Sequence, residues 1–590
     1  MASIKSKTTV KLGLPKTMKF SVLRIHPFFF LLASGLVLFV NRSINFDMHH
    51  DGLITTNMLE IRNGFKNEGP WPFNQYGVTW LIPYLPIILT GDSNSIYERA
   101  NCISLIIYGL TLVISFFTAR KFMGTTQAIF VPVFLAATSS LGSLRTWPSV
   151  SAMLYLSGFL LAVVSYLSRS TSLRNLKIIA FLMGALIPLI ILSRVQVGIF
   201  LLSVFSIVVF NFGRSKTRRY FFFGFISISC LIIYFLAKNN WLKPAFMDTF
   251  IYSLNYLTND ETRVIPFFTL IGSAIVFVVC YTLLSDKFPL KAAQLLIFAM
   301  ASGLISLLAF YVKTVLSEGP DSISFYTILM RRFFVSTLIG TFLYWLVSQT
   351  RVMIKERNNV NRSQDSKMLA LVLVSASSLL QLVPLFDSTH AWWASPPLVI
   401  LVALLISRVI RKNIRVVRTD QMLMPLALVT ISLLLFSVQN YKYEKTRLVS
   451  FGSLFVSNAM SLESEVSEQN QLSKMVFSNA PTGSKFLNLC INPNIFMTTR
   501  GYQSASRFYV SWPNMRGYPE FVDATRASQP EFILTCSDLP NPAAGILTQK
   551  NRNDLRLSQD LIIQQVFSRP KLVGQFRSAR EVQWQLWSGK

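Results

Sequence analysis

Long apolar runs recur through most of the chain and are separated by short polar stretches. Runs of roughly 17–25 apolar residues are long enough for a helix to cross a bilayer. Thirteen predicted spans lie near 21–40, 101–118, 125–141, 151–168, 178–193, 196–212, 220–237, 264–284, 292–316, 327–347, 368–386, 397–410 and 422–438. The pattern predicts an α-helical polytopic membrane protein with about 13 transmembrane helices.

One further apolar run, Val78–Gly91, is shorter and is interrupted by Pro83 and Pro86. Its length and its prolines favour an interfacial or re-entrant helix over a span. Counting it as a span would move every later loop to the opposite side of the membrane and would reverse the charge bias between the two sides.

Composition and charge fix the orientation of the spans. The 590 residues are 52% hydrophobic and 14% charged, and the formal net charge is +29. This charge would suit nucleic acid, but Lys and Arg show a roughly threefold excess in the loops predicted to lie inside. The charge therefore indicates topology, with the lipid bilayer as a partner and no nucleic acid. A basic tail, 1–20, is expected in the cytoplasm. No cleavage site follows the first apolar run, so this run is expected to be a retained helix and not a cleaved signal peptide.

The chain turns polar from about Gln439 onward. An amphipathic helix is predicted within "SLFVSNAMSLESEVSEQNQLSKMVFSN", and strands are predicted at "KFLNLCI", "RFYVSW", "PEFILTCS", "KLVGQF" and "EVQWQLW". The expected organisation is a transmembrane domain over 21–438, with a first outside loop over 41–100, and a small α/β domain over 439–590 outside the membrane. In such a compartment Cys490 and Cys536 could form a disulfide or stay as free thiols.

The first outside loop contains "FDMHHDG", which places Asp47, His49, His50 and Asp51 within seven residues. Apolar residues then recur at helical spacing up to Gly64, which predicts an amphipathic helix on the membrane surface. Asp51 would stand near the N-terminus of this helix, where the dipole favours a carboxylate that can act as a general base. The ordinary alternative is that both acids are solvated helix caps.

Substrate contacts in this loop are expected from the two histidines and from Gln75 and Tyr76 of "FNQYG". A divalent metal is an open alternative, with Asp47, His50 and Asp51 as ligands. These residues lack the spacing of a zinc motif, so the sequence requires no cofactor.

Several arginines lie at predicted outside ends of spans, where a cation pairs with an anion, faces a cavity or extends to the interface. Phosphate is a natural anion for a guanidinium group. Arg194, Arg331 and Arg332 are the predicted phosphate-binding residues, whereas extension to the interface suffices for Arg145.

A late outside loop, "PLFDSTHAWWASPP", contains His390 and Trp393. Its paired tryptophans could form an aromatic belt or could stack on a sugar ring.

The motifs "HHDG", "FNQYG", "YERAN", "SRVQVG" and "DSTHAWWASPP" together resemble those of the GT-C membrane glycosyltransferases. This class includes protein mannosyltransferases and bacterial aminoarabinose and lipopolysaccharide-core transferases. The resemblance implies transfer of a sugar from a polyprenyl-phosphate-linked donor to an acceptor hydroxyl of a cell-envelope glycan, lipid or protein. The reaction would take place on the outer face of a bacterial inner membrane.

In that family an acid of the first outside loop is the catalytic base. The family's acidic pair matches Asp51-Gly52 here, so Gly52 replaces the second acid. The resemblance therefore implies that Asp51 is the base and leaves a share of the role open for Asp47.

Three other functions fit parts of the pattern. A transporter or flippase would suit many spans. Transporters often carry a broken helix in each half, however, and here one proline-broken segment is seen, without a partner segment in the second half. A lipid-linked glycan polymerase or ligase would use Arg332 and His390 in place of Asp51. A non-catalytic scaffold would use the C-terminal domain as a binding module.

Overall fold

The computed structural model describes the main helices of the chain and much of its C-terminal region. The residues described are 26–42, 45–47, 50–62, 78–90, 95–139, 144–168, 172–212, 215–246, 249–250, 267–284, 324–355, 362–382, 388–413, 423–452, 459–490, 501–504, 529–537 and 559–589. The predicted span at 292–316 and the predicted strand "RFYVSW" lie outside these residues.

Helices dominate the described part up to residue 447. Numbered in chain order they are α1 (Pro27–Val40), α2 (His50–Arg62), α3 (Leu85–Thr90), α4 (Ile96–Ala119), α5 (Thr125–Ala128), α6 (Phe130–Ala137), α7 (Pro148–Tyr166), α8 (Leu173–Ile191), α9 (Val195–Phe212), α10 (Ser215–Lys238), α11 (Leu242–Phe246), α12 (Phe267–Leu284), α13 (Ser324–Lys355), α14 (Arg362–Leu379), α15 (Ser388–Asn413) and α16 (Leu423–Arg447).

Every predicted span within the described residues coincides with helical structure, and six helices there are long and apolar enough to cross a membrane. These six lie within α4, α7, α8, α10, α13 and α15. α1, with 14 residues, is one of the shorter apolar helices. The chain is therefore an α-helical integral membrane protein, while the total of 13 spans stays a prediction.

The predicted interfacial segment is helical but short. It consists of a 3-10 helix, Thr79–Tyr84, followed directly by α3. Pro83 lies inside the 3-10 helix, where its missing amide proton and fixed φ interrupt an α-helical ladder. Together the two pieces form one of the shorter apolar helices, Thr79–Thr90.

Small residues allow two long helices to approach closely. A Cβ atom added to Gly184 of α8 would lie 1.9 Å from the carbonyl oxygen of Phe221, and one added to Gly224 of α10 would lie 2.2 Å from that of Phe181. Lipid tails are as apolar as helix side chains, so no hydrophobic effect drives helices together within a bilayer. Helix association there depends on close packing of this kind.

The C-terminal region combines helices with a mixed sheet. Its elements are β1 (Leu448–Ser450), β2 (Met460–Leu462), α17 (Glu463–Asn479), β3 (Lys485–Asn488), β4 (Gln503–Ser504), β5 (Phe532–Cys536), a helix at 559–566 (α18), β6 (Lys571–Arg577) and β7 (Gln583–Ser588). The sheet order is β4-β3-β5-β7-β6, with β3 parallel to β4 and β5, and β7 antiparallel to β5 and β6. A small C-terminal α/β region is thus present, as the pattern predicts.

Within the part of the chain that the structure describes, the helix bundle and the C-terminal region are connected through α16 and through the chain after α1. α16 runs to Arg447, past the predicted change at Gln439, and continues directly into β1. The chain after α1 also reaches this region, because Asn45 forms a parallel bridge with Met460 of β2. The β1–β2 ribbon therefore lies beside the first loop of the bundle.

Candidate active site

The segment after α1 fixes two carboxylate residues against each other. The Asp47 carbonyl accepts hydrogen bonds from the amides of Asp51 (2.9 Å) and Gly52 (3.1 Å). In return, the Asp47 amide donates to Asp51 Oδ2 at 2.9 Å. This reciprocal arrangement starts α2 and satisfies amides that would otherwise lack a partner at a helix N-terminus.

The helix that follows departs from the sequence expectation. α2 is present, but Asp51 to Leu59 are buried without interruption, so this stretch does not present a polar face to solvent as a surface helix would. Glycine, threonine and asparagine stand between its apolar residues, and burial of these uncharged groups costs less than burial of a charge would. The carboxylate of Asp51 is buried with them.

Arg145 lies directly against Asp51. Its NH1 is 2.5 Å from Asp51 Oδ2, and the two side chains are 15% and 1% exposed. The same NH1 donates to the Asn45 carbonyl at 2.9 Å. The sequence expectation that Arg145 only extends to the interface is therefore wrong, because its guanidinium group points into the protein and pairs with the candidate base.

The charge on Arg145 is maintained by its neighbours. Burial alone would lower the pKa of Arg145, but the nearby carboxylates of Asp51 and Asp47 reverse this effect and raise it. A buried ion pair of this kind costs desolvation energy, which its hydrogen bonds must offset. Arg145 and Asp51 are thus held as a charged pair.

A hydrogen-bonded cluster extends from this pair into the bundle. Tyr108 donates to the Arg145 carbonyl at 2.8 Å, and Thr146 donates to Asn101 Oδ1 at 3.0 Å. Ser104 lies 2.8 Å from the Thr146 hydroxyl and 2.9 Å from that of Tyr84. The start of α4, the loop before α7 and the interfacial segment are therefore joined by polar contacts.

Arg194 lies in the turn between α8 and α9, close to the same segment. Its Nε donates to the Ser149 hydroxyl at 3.0 Å, and its NH2 contacts the same oxygen. The neighbouring Ser193 hydroxyl is 2.8 Å from that of Thr79, which itself donates to the Leu189 carbonyl at 2.6 Å. Arg194 thus lies where α7, the α8–α9 turn and the interfacial segment meet.

The turn that carries Arg194 depends on a glycine. A Cβ atom on Gly198 would lie 2.4 Å from the backbone nitrogen of Ile191. The Gly198 amide also donates to the Arg194 carbonyl at 3.1 Å. Because only a residue without a Cβ permits this approach, the spacing in "SRVQVG" has a structural reason.

The late motif lies at the beginning of α15. The His390 and Trp393 rings meet edge to face, with centroids 5.2 Å apart. Trp392 packs in the same manner against Tyr108 at 5.3 Å, and Tyr108 in turn holds the Arg145 carbonyl. The structure therefore connects this motif to the Asp51–Arg145 pair through one tyrosine.

The other predicted phosphate-binding residues lie on a different element. Arg331 is exposed and Arg332 is half-buried on α13, which packs mainly against α12, α14 and α15. The elements that carry Asp51 and Arg194 are not among these main packing partners.

The remaining predicted substrate-contact residues belong to the first loop. His49, Gln75 and Tyr76 lie outside the described residues, as does the side chain of His50. Among the described residues, no group of three or more histidine, cysteine, aspartate or glutamate side chains could hold a metal ion. The metal ligand set of Asp47, His50 and Asp51 thus stays an untested expectation.

In the C-terminal region, Cys490 and Cys536 form a disulfide with their Cα atoms 5.8 Å apart. It joins the end of β5 to the residues that follow the neighbouring strand β3.

Two fully buried amide side chains, those of Asn57 and Gln381, are not among the site residues predicted from the sequence. Within the described part of the chain, both amide atoms of Asn57 and both of Gln381 have no hydrogen-bond partner. For Gln381 the sequence does carry a signal, because it is a polar residue within an apolar run.

No protein-family model matches the chain, and neither does any curated protein sequence. Among solved structures, the chain is similar to the oligosaccharyltransferase of Archaeoglobus fulgidus tethered with an acceptor peptide. The identity is 11%, the TM-score is 0.46, and the alignment covers 86% of this chain and 69% of that one.

A second similar structure is ArnT from Cupriavidus metallidurans in the apo state. It is 12% identical with a TM-score of 0.46, and 95% of this chain and 97% of that one are covered. The same protein bound to undecaprenyl phosphate gives 13% identity and a TM-score of 0.44.

Proposed function

We propose that the protein is a membrane glycosyltransferase that moves a sugar from a polyprenyl-phosphate-linked donor to an acceptor hydroxyl on the exoplasmic face. The observation that carries this proposal is the placement of Asp51, Arg145 and Arg194 around the interfacial segment. This placement combines a buried carboxylate with two guanidinium groups, which is what transfer from a lipid phosphate requires.

Asp51 is the proposed base. As the acceptor oxygen attacks the anomeric carbon, its proton passes to the Asp51 carboxylate. The bond between the anomeric carbon and the phosphate oxygen breaks, and its electron pair leaves with the lipid phosphate. Because the acceptor attacks from the face opposite the phosphate, the anomeric configuration is inverted. Asp47, half-buried and hydrogen-bonded through its amide to Asp51 Oδ2, is the second candidate for this role.

The arginines are proposed to bind the donor phosphate. Arg194 stands beside the interfacial segment, where a lipid-bound donor would enter sideways from the bilayer. Negative charge grows on the leaving phosphate in the transition state, and a preorganised guanidinium stabilises it. Arg331 and Arg332 are proposed to act with Arg194, and His49, His50, Gln75, Tyr76, His390 and Trp393 are proposed to contact the substrates.

Arg145 is a further candidate, which the structure adds to the sequence-based set. Its guanidinium already contacts a carboxylate, and a bound phosphate would compete for the same group. If a bound donor phosphate drew the Arg145 guanidinium partly away from Asp51, the carboxylate would lose some of the positive charge that stabilises its ionised form. Asp51 would then accept a proton more readily.

The proposal is tested by offering labelled polyprenyl-phosphate sugars and cell-envelope acceptors to the purified protein, with and without a chelator. Formation of labelled product is expected, and its loss with chelator would add a metal to the site. Movement of the donor across vesicles without any product would instead support the flippase alternative. Absence of product with every donor would contradict the proposal.

A further inference from the structure

The contacts between the C-terminal region and the first loop converge on the backbone that carries the candidate base. The Phe46 amide donates to the Met460 carbonyl at 2.7 Å. The Phe46 ring packs between the C-terminal region and the bundle, 6.0 Å from the Phe451 ring and 4.8 Å from the Tyr97 ring. The residue just before Asp47 is therefore fixed by both parts of the molecule.

Ser461 is central to this junction. Its hydroxyl lies 2.9 Å from Asn45 Oδ1 and 3.3 Å from the Phe46 carbonyl, and it also contacts Glu465 Oε2. Ser461 is fully buried, so no water competes for these contacts. A serine on β2 thus contacts both the side chain and the backbone of the first loop.

A second layer holds Ser461 in place. Arg580, in the turn between β6 and β7, donates to Glu465 Oε1 at 3.1 Å, and both side chains are 23% exposed. Glu465 therefore contacts Ser461 with one carboxylate oxygen and Arg580 with the other. The turn of the main sheet is connected in this way to the first loop of the bundle.

The same loop holds the ion pair at its other side. The Asn45 carbonyl accepts from Arg145 NH1, which also contacts Asp51 Oδ2. The chain of contacts runs without interruption from Arg580 through Glu465, Ser461 and Asn45 to Arg145 and Asp51. Each link is a polar contact or an ion pair between groups that are buried or half-buried, and the one Ser461 hydroxyl proton is shared among the Glu465, Asn45 and Phe46 oxygens around it.

From this chain we infer that the C-terminal region is a positioning element of the active site, and that Ser461 and Glu465 are positioning residues for the Asp51–Arg145 pair. The inference rests on the proposed function for its catalytic part. Its structural part, that Ser461 holds the Asn45–Asp47 segment, does not depend on that function.

The structural part is tested by hydrogen exchange in the full-length protein. In Ser461→Ala, peptides covering 45–52 are expected to exchange roughly tenfold faster than in the wild type, because the hydroxyl that holds Asn45 and the Phe46 carbonyl is lost and the segment opens more often. Ser461→Thr keeps the hydroxyl and is expected to restore protection. Ser473→Ala removes an equally buried hydroxyl of the same region that bonds only within its own helix, to the Gln469 carbonyl, and is the matched control.

The catalytic part is tested with the same variants in the transfer assay. Displacement of the base by a fraction of an ångström is expected to lower kcat roughly tenfold or more while KM for the donor changes less than about twofold. Glu465→Gln is expected to give a smaller loss in the same direction. Ser461→Thr is expected to recover kcat, which a general loss of stability would not explain.

Each outcome decides a separate point. Unchanged exchange at 45–52 in Ser461→Ala would overturn the coupling, whatever the activity. Faster exchange with an unchanged kcat would show that the contact exists but does not position the reaction, which also overturns the inference. If the wild type transfers no sugar from any donor, the proposed function fails, while the exchange data still decide the coupling.

Discussion

Among the described residues, two ion pairs connect distant parts of the chain, and their surroundings differ. Arg145 and Asp51 lie in the helix bundle with side chains 15% and 1% exposed. Arg580 and Glu465 lie in the C-terminal region, each 23% exposed. A third pair, Arg577 and Glu581, is local and open to solvent, at 70% and 81%. Because burial decides what an ion pair contributes, the three form a graded series.

The buried Asp51–Arg145 pair is the most informative of the three. A charge that is fully removed from water is very costly unless an opposite charge compensates it. A buried ion pair therefore suggests that the charges are required at that position. The exposed pair carries no such information, because water stabilises each charge separately. The Asp51–Arg145 pair is therefore the place in the described structure where function is most expected.

The largest effect is expected from breaking the buried pair on one side only. Asp51→Ala should destabilise the protein by about 3–5 kcal/mol, because Arg145 is left buried without its partner. The double variant Asp51→Asn with Arg145→Gln should lose clearly less, since no unpaired charge remains. Thermal unfolding in detergent measures both, and equal losses in the two variants would contradict the assignment of a coupled pair.

A smaller effect is expected at the half-buried pair. Arg580→Gln should cost about 1–2 kcal/mol, in line with a hydrogen bond to a charged group that retains some access to water. The loss should appear in the unfolding midpoint of the full-length protein. A loss as large as that of Asp51→Ala would mean that exposure does not govern the series.

A pH effect is expected at Glu468, which is buried beside this pair on α17. Burial raises the pKa of Glu468 above its ordinary value of 4.5, while the Ser578 hydroxyl and Arg580 act in the opposite direction. A carboxyl group with a raised pKa in the folded state stabilises the protein at low pH, and this contribution is lost as the pH rises through the raised value. Glu468→Gln should therefore raise the melting temperature near neutral pH by roughly 2–4 °C and flatten its pH dependence.

The absence of any difference between wild type and Glu468→Gln across pH 4–8 would contradict the buried, titrating state of this residue. Gln469, its neighbour on α17, is equally buried but does not titrate, so Gln469→Ala serves as the control. That variant should shift stability without changing its pH dependence.

The smallest effect is expected at the exposed pair. Arg577→Gln should change stability by less than about 0.5 kcal/mol, because both side chains stay hydrated when they separate. The measurement is the same unfolding experiment at low and high salt. A salt-dependent loss comparable to that of Arg580→Gln would contradict the ranking.

Much of the fold could be predicted from the apolar pattern, because a helix that crosses lipid must be apolar along its length. The strands within "KLVGQF" and "EVQWQLW" are also predictable, since Pro and Gly bound these short runs. Other features depend on tertiary contacts that no local pattern records. Leu448–Ser450 and Met460–Leu462 form strands by pairing with each other, and the burial of α2 depends on the elements packed around it.

The candidate site was predicted in part. The carboxylates are conspicuous because they are close in sequence and lie just after a span. Arg145 was assigned to the interface because its partner, Asp51, lies 94 residues earlier in the chain. Ser461 had no signal at all, since its contacts with Asn45 and Phe46 join opposite ends of the sequence.

The central claim is that Asp51 is the base of a sugar transfer. The most direct measurement is the rate of transfer by equal amounts of folded wild type, Asp51→Asn and Asp47→Asn, with Asp560→Asn, an exposed carboxylate at the start of α18, as the matched control. The account predicts a loss of at least about 100-fold in Asp51→Asn and a rate within about twofold of wild type in the control. Retention of most of the activity by folded Asp51→Asn would contradict it and would move the chemistry to Asp47 or to the late loop.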